Sequence, residues 1–136
     1  MIRSRRRMTM IAAAVGLATV GMVGPAQAAP VASSSTWVNT GNPKTRATEA
    51  LFYRAVSGTH ANKAWFRVND TKCDGNDVYV EYIIDNGDST LKYASGGCGT
   101  GKEYNVQSGR FGILFRSCVD DAGNNTCSEW RGDNNF

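Results

Sequence analysis

Within NDTKCDGNDVYVEY, residues 69–82, the carboxylates and carboxamide of Asp70, Asp74, Asn76 and Asp77 stand close together in sequence. Asp70, Asp74, Gly75, Asn76 and Glu81 fall at positions 1, 5, 6, 7 and 12 of an EF-hand-like loop, which binds calcium through hard oxygens around a sharp glycine turn. Lys72 occupies position 3, where an oxygen belongs. The competing reading is a polar turn in which Asp and Asn bond their own backbone. The turn is favoured over a calcium site at Asp70, Asp74, Asn76 and Asp77, and no cofactor is expected.

Hydrolytic chemistry would have to run through His60, the single histidine. It sits in SGTHANKAW, a loop-like context, with no nucleophile elbow and no paired-histidine motif. Asp120 and Asp121 are paired carboxylates of the kind a glycosidase uses, but adjacent acids before AGNN also make an ordinary turn. Arg131-Gly132-Asp133 spells an integrin-type tripeptide, a coincidence common among surface residues. The chain is therefore expected not to be an enzyme. Tyr79 and Ile83 share one face of their segment with Glu81 and are the candidate binding residues, against the alternative that they pack internally.

The cysteines point to stability instead. Cys73, Cys98, Cys118 and Cys127 are the four in the chain, and no C-x-x-C spacing suggests redox or zinc chemistry. An even count in a small secreted chain reads as two disulfides. Secretion is indicated by residues 1–28. Arg3, Arg5, Arg6 and Arg7 precede an apolar run from Met10 to Val23, and Ala26-Gln27-Ala28 supplies small residues for cleavage. The run is shorter than the roughly 20 residues that span a bilayer. The expected mature chain is released, extracellular and free of membrane. Of 15 Lys+Arg, four lie in this leader, so the mature chain has 15 − 4 = 11 against 12 Asp+Glu, a net charge of −1. No basic cluster remains, which argues against nucleic acid as a partner.

These groups must be carried by strands. Short apolar segments recur near 49–55, 64–70, 77–85, 89–95, 102–106, 111–119 and 126–131, separated by Gly, Asn and Asp. That pattern predicts an all-β antiparallel sandwich of about seven short strands over residues 49–136. Residues 29–48, rich in Ser, Thr and Ala, are expected to be a flexible N-terminal segment. In VYVEYIID, Val78, Val80, Tyr82 and Ile84 share one parity, and Asn86-Gly87 marks a tight hairpin. A turn there sets Tyr82 opposite Leu91, Val80 opposite Tyr93 and Glu81 opposite Lys92, with Cys73 and Cys98 at the open end. A second hairpin, pairing Cys118 with Cys127, sets Phe115 opposite Trp130 and Arg116 opposite Glu129. Phe66, Tyr82, Tyr93, Phe115 and Trp130 are the expected core aromatics. Of the three possible pairings, the two hairpins favour Cys73–Cys98 with Cys118–Cys127.

NDTKCDGNDVYVEY together with FRSCVDDAGNNTCSEW resembles a group of small secreted actinobacterial proteins. The final hairpin is also similar to the last two strands of fibronectin-type-III and other immunoglobulin-like domains. The resemblances imply a secreted sandwich and bring no catalytic residues with them. The expected function is a non-enzymatic extracellular binding or envelope-associated module, its partner an extracellular protein or cell-wall component. The alternatives are an inhibitor of an extracellular hydrolase, presenting SGGCGTGKEY or DDAGNNT, and a hydrolase using His60.

Overall fold

The computed structural model describes residues 29–136; the expected signal at 1–28 lies outside the described residues. Nine strands run β1 Ser34–Thr40, β2 Thr45–Tyr53, β3 Trp65–Asp70, β4 Asp77–Ile84, β5 Thr90–Ala94, β6 Gly101–Asn105, β7 Phe111–Asp120, β8 Thr126–Cys127 and β9 Arg131–Asn135. They form two antiparallel sheets. The first has the order β1-β2-β3-β6, and the second β5-β4-β7, with β8 and β9 both on the far edge of β7. The sandwich is all-β, as the alternation predicts.

The core is the inner faces of both sheets. Phe52, Phe66 and Val68 from the first meet Val78, Val80, Tyr82, Phe111, Ile113, Phe115 and Val119 from the second. Phe66 packs 5.2 Å from Phe52, 5.1 Å from Phe115 and 5.3 Å from Tyr82. The even parity of β4 and the odd parity of β7 are thus the buried ones.

The chain crosses between sheets after β3 and again after β5. Cys73–Cys98 ties those two crossings together, spanning 25 residues, and Cys118–Cys127 closes the β7–β8 hairpin on the outer face. Asp70 reinforces the first link: its N–H donates to the Thr100 carbonyl and its carbonyl accepts from Gly99 N–H.

Three expectations need correction. Residues 29–48 are not a free segment, because Ser34–Thr40 forms edge strand β1 along β2. Its inward side chains are Ser34, Thr36 and Val38, so burial alternates while hydrophobicity does not. Second, the β4–β5 register is one residue from the expected one. Asp85 and Asn86 both take positive φ, and Gly87 N–H closes on the Ile84 carbonyl, giving a primed turn centred on Asp85-Asn86. Asp85 also accepts Gly112 N–H at 2.8 Å, pinning the turn to β7. Tyr79 therefore faces Tyr93 and Glu81 faces Leu91, leaving Leu91 and Tyr93 on the outer face rather than in the core. Third, the β7 edge carries an extra residue. Cys118 pairs with Cys127 as expected, but Phe115 pairs with Arg131, a bulge that puts Trp130 outside. Arg116 consequently bonds Glu81 on β4, not Glu129.

Strand β9 is held by Asp133, whose carboxylate accepts from Arg54 at 2.7 Å and from the Ser34 hydroxyl. Burial pushes this carboxyl up, but the hydrogen bonds from Ser34, Arg54 and Asn134 N–H outweigh it and hold the group below the usual aspartate range. A depressed folded value stabilises the fold above the unfolded value of about 3.9, and this is lost as pH falls through the folded one. Asp133→Asn is expected to cost about 1–3 kcal/mol at neutral pH. Its melting temperature should also fall less steeply than the parent's below about pH 4. Parallel melts across pH check this; equal slopes for both proteins would contradict it.

Candidate functional site

The candidate calcium residues do not converge as a ligand set. Asp70 is buried and caps Lys72 N–H. Asp74 sits 3.1 Å from the Lys72 ammonium, which also donates to Thr40 Oγ1 at 2.9 Å. Burial raises the Asp74 carboxyl, and bonds from Asn76 N–H and Lys72 carry it below its ordinary value. Asn76 donates to Asp121, and Asp77 opens β4 opposite Asp120. A cavity of about 340 Å³ is lined by Asp70, Asn76 and Asp77, but Lys72 lines it too. Its ammonium would repel the cation the acids could attract. Among the described residues, the one set of three candidate metal-ligand atoms within 4.8 Å of each other is Glu81, Cys118 and Cys127. Its sulfurs are bonded to one another, so neither is a thiolate.

His60 stacks on Trp65 at 4.0 Å. Its Nδ1 lies 3.0 Å from Asn105 Oδ1 and its Nε2 3.7 Å from Glu103. Trp65 is covered on its other face by Tyr53 at 3.8 Å. The polar partners of His60 are an amide and a carboxylate, not the hydroxyl or thiol that a histidine base activates. Asp121 accepts from Asn76 and from Thr126 Oγ1, which anchors the hairpin tip. The Arg131-Gly132-Asp133 tripeptide is no presented loop: Gly132 lies within β9 and Asp133 is turned to Ser34 and Arg54.

The binding candidates Tyr79 and Ile83 do lie on one surface, the outer face of the second sheet. Tyr79 is only 3 % exposed. Its ring is 4.8 Å from Tyr93, its hydroxyl accepts from Asn125 Nδ2 at 3.0 Å, and it lies 3.9 Å from Cys127 Sγ. Tyr79 is therefore the floor of the face rather than its contact surface. Ile83 is half-buried and lines a cleft of about 530 Å³ with Leu114 and Gly132.

The register assembles the remainder. Across the strands, Leu91, Glu81 and Arg116 form one row, Tyr93 and Tyr79 another with the disulfide, and Ile83 and Leu114 a third. Trp130 covers Arg116, with the guanidinium 4.5 Å from its ring centroid. Leu91, Tyr93, Leu114 and Trp130 are 45 %, 37 %, 43 % and 39 % exposed. At their centre Arg116 meets Glu81 at 2.7 Å, and Ser89 donates to the same carboxylate at 2.7 Å. Burial raises the Glu81 carboxyl, but the bonds from Ser89 and Arg116 prevail and keep it low and ionised. The site is thus an apolar ring of Leu, Tyr and Trp around one fixed ion pair, on a sheet whose Asp77–Ala94–Asp120 end is stapled by both disulfides.

Sequence alone puts Tyr79, Glu81 and Ile83 on this face. Leu91, Tyr93 and Trp130 face outward because each hairpin register differs by one residue from the one expected from sequence. The pairing of Glu81 with Arg116 joins residues 35 apart and leaves no local signature. No helix of the described residues is long and apolar enough to cross a membrane. No protein-family model matches the chain, and no match is found among curated proteins or solved structures.

Proposed function

We propose that the protein is a secreted, non-enzymatic binding module of the extracellular space, and that it recognises its partner with the outer face of the β5-β4-β7 sheet. The observation that carries this is the grouping of Leu91, Tyr93, Leu114 and Trp130 around the Glu81–Arg116 pair. Water-exposed apolar side chains are ordinary when scattered, but a contiguous group rimmed by polar residues marks an interaction surface. Tyr, Trp and Arg are the side chains that most often dominate protein interfaces. The disulfides and the antiparallel ladder fix their positions in advance, which lowers the entropy lost on binding. The partner class is an extracellular protein or envelope component.

The test uses oxidised residues 29–136 as bait against envelope and culture supernatant of the producing organism. Leu114→Glu introduces a charge into the apolar ring and is expected to weaken retention about 100-fold. Val56→Ala, exposed beyond the end of β2 on the opposite sheet, is expected to leave retention unchanged. A partner retained equally by the Leu114→Glu bait, with both baits folded by circular dichroism, would contradict the assignment.

A second reading is an inhibitor of an extracellular hydrolase. What favours it is the exposed loop 95–100, fixed by Cys98 and bonded to Asp70. Inhibition of a hydrolase by the oxidised but not the reduced chain, with Leu114→Glu still active, would favour the loop over the sheet face.

A further inference from the structure

We infer that the outer face of β5-β4-β7 is occupied in the free protein by the same face of a second copy, so that the module is a reversible two-fold dimer. This rests on the reading of that face as a recognition surface and names its occupant. The face carries its own complement: one carboxylate and one guanidinium lie side by side at its centre, Glu81 and Arg116, 2.7 Å apart. A two-fold axis lying between the two faces, along the strands and through the midpoint of that pair, crosses the Leu91–Glu81–Arg116 row at right angles and sets each copy's Glu81 against the other's Arg116, which is what an isologous contact requires. An unrelated face with two like charges at the centre could not meet itself in this way.

The apolar ring fits the same operation. Leu91 and Trp130 lie toward opposite edges, Leu91 on β5 beside Glu81 and Trp130 over Arg116 beyond β7. A two-fold rotation about the ion pair therefore lays the leucine of one copy near the tryptophan of the other. The one helical turn among the described residues, His60–Asn62, packs on Trp65 of the other sheet, and two faces of this kind stack at roughly 10 Å. Long-range repulsion does not oppose the approach, because the mature chain's charge is only 11 − 12 = −1.

Area sets the strength. With whole aromatic side chains presenting roughly 150–250 Å², the four partly exposed residues offer roughly 300 Å² of apolar surface per copy. Adding Ile83, Glu81 and Arg116 brings a pair to roughly 1,000 Å², the lower end of specific interfaces. The dimer is therefore a weak one, with Kd on the order of 10–100 µM. It would be open at the dilution of a culture medium and closed where the protein accumulates, so a partner binding this face competes with the second copy.

The experiment is sedimentation equilibrium of oxidised residues 29–136 from roughly 1 µM to 1 mM, a range bracketing that Kd. The expected result is a monomer–dimer equilibrium for the parent and a monomer throughout for Leu114→Glu. Glu81→Arg and Arg116→Glu are each expected to weaken association at least tenfold, and an equimolar mixture of the two to restore it as a heterodimer. If either reversal fails to fold, Leu91→Glu at the exposed edge replaces it and is expected to give a monomer. A parent that stays monomeric at 1 mM, or a dimer unchanged by Leu114→Glu, overturns the proposal. A monomeric protein that still retains a foreign partner through Leu114 overturns the dimer alone. A dimer of the expected kind whose bait retains nothing overturns the foreign-partner reading alone.

Discussion

Replacing Phe66 with alanine is expected to destabilise the fold by about 3–5 kcal/mol, the range for deleting a fully buried aromatic ring. Phe66 has no exposed surface and touches rings from both layers, Phe52 on β2 and Phe115 and Tyr82 on β7 and β4. The cavity left behind has little means to close. Its walls are two sheets whose separation is set by Val38, Val68, Val80 and Val119 elsewhere in the core, and whose crossings are stapled by Cys73–Cys98. Since single domains are stable by about 5–15 kcal/mol, the variant should be largely unfolded well below the parent's melting temperature. Urea unfolding checks this: the midpoint should fall with the slope unchanged. A loss under about 1.5 kcal/mol would mean that the two layers are less closely packed than these distances indicate.

The second large effect is expected from Cys73→Ser combined with Cys98→Ser. The bridge spans 25 residues, and the loop-entropy relation assigns such a cross-link about 3.5 kcal/mol, against about 2.7 for the shorter Cys118–Cys127 loop. Cys73 is exposed and Cys98 half-buried, so the serines remove little packing, and the effect falls mainly on the unfolded chain. The folded variant should retain the parent's near-ultraviolet circular dichroism at low temperature. Its urea slope should rise as the freed unfolded chain exposes more surface. An unchanged midpoint would show that the Asp70 hydrogen bonds to Thr100 and Gly99 hold the two crossings without the bridge.

Much of the layer architecture was legible because it is written in period-two alternation. Val78, Val80 and Tyr82 on β4 and Phe111, Ile113 and Phe115 on β7 are inward by parity alone, and parity survives a wide range of errors elsewhere. The two disulfides were legible for a related reason, since each flanks or lies in a hairpin whose turn residues are local. Strand β1 was not, because its inward positions are Ser34, Thr36 and Val38, so burial follows size and tertiary context instead of hydrophobicity.

Register was the weakest inference, and it decided the candidate site. Asp tolerates positive φ nearly as Asn does, so Asp85-Asn86 could take the turn from Asn86-Gly87 once Asp85 had Gly112 to bond. That one-residue shift moved Leu91 and Tyr93 outward, and the bulge before β9 did the same to Trp130. Lys92 was the available clue. In the observed register it stands opposite Val80, on the inner parity of edge strand β5, a position whose charge can reach water past the sheet edge.

The claim that the outer face of the second sheet is the recognition surface can be tested most directly with the three tryptophan indoles. Trp130 lies on that face and is 39 % exposed; Trp37 is on the opposite sheet and 48 % exposed; Trp65 is buried at 4 %. Their indole N–H resonances should be recorded in oxidised residues 29–136 over a concentration series and then with any retained partner. The expected result is movement or broadening of Trp130 in both titrations, with Trp65 fixed and Trp37, which shares a groove with Trp130, moving less than Trp130. Movement of Trp37 while Trp130 stays in place would transfer recognition to the first sheet and contradict the assignment.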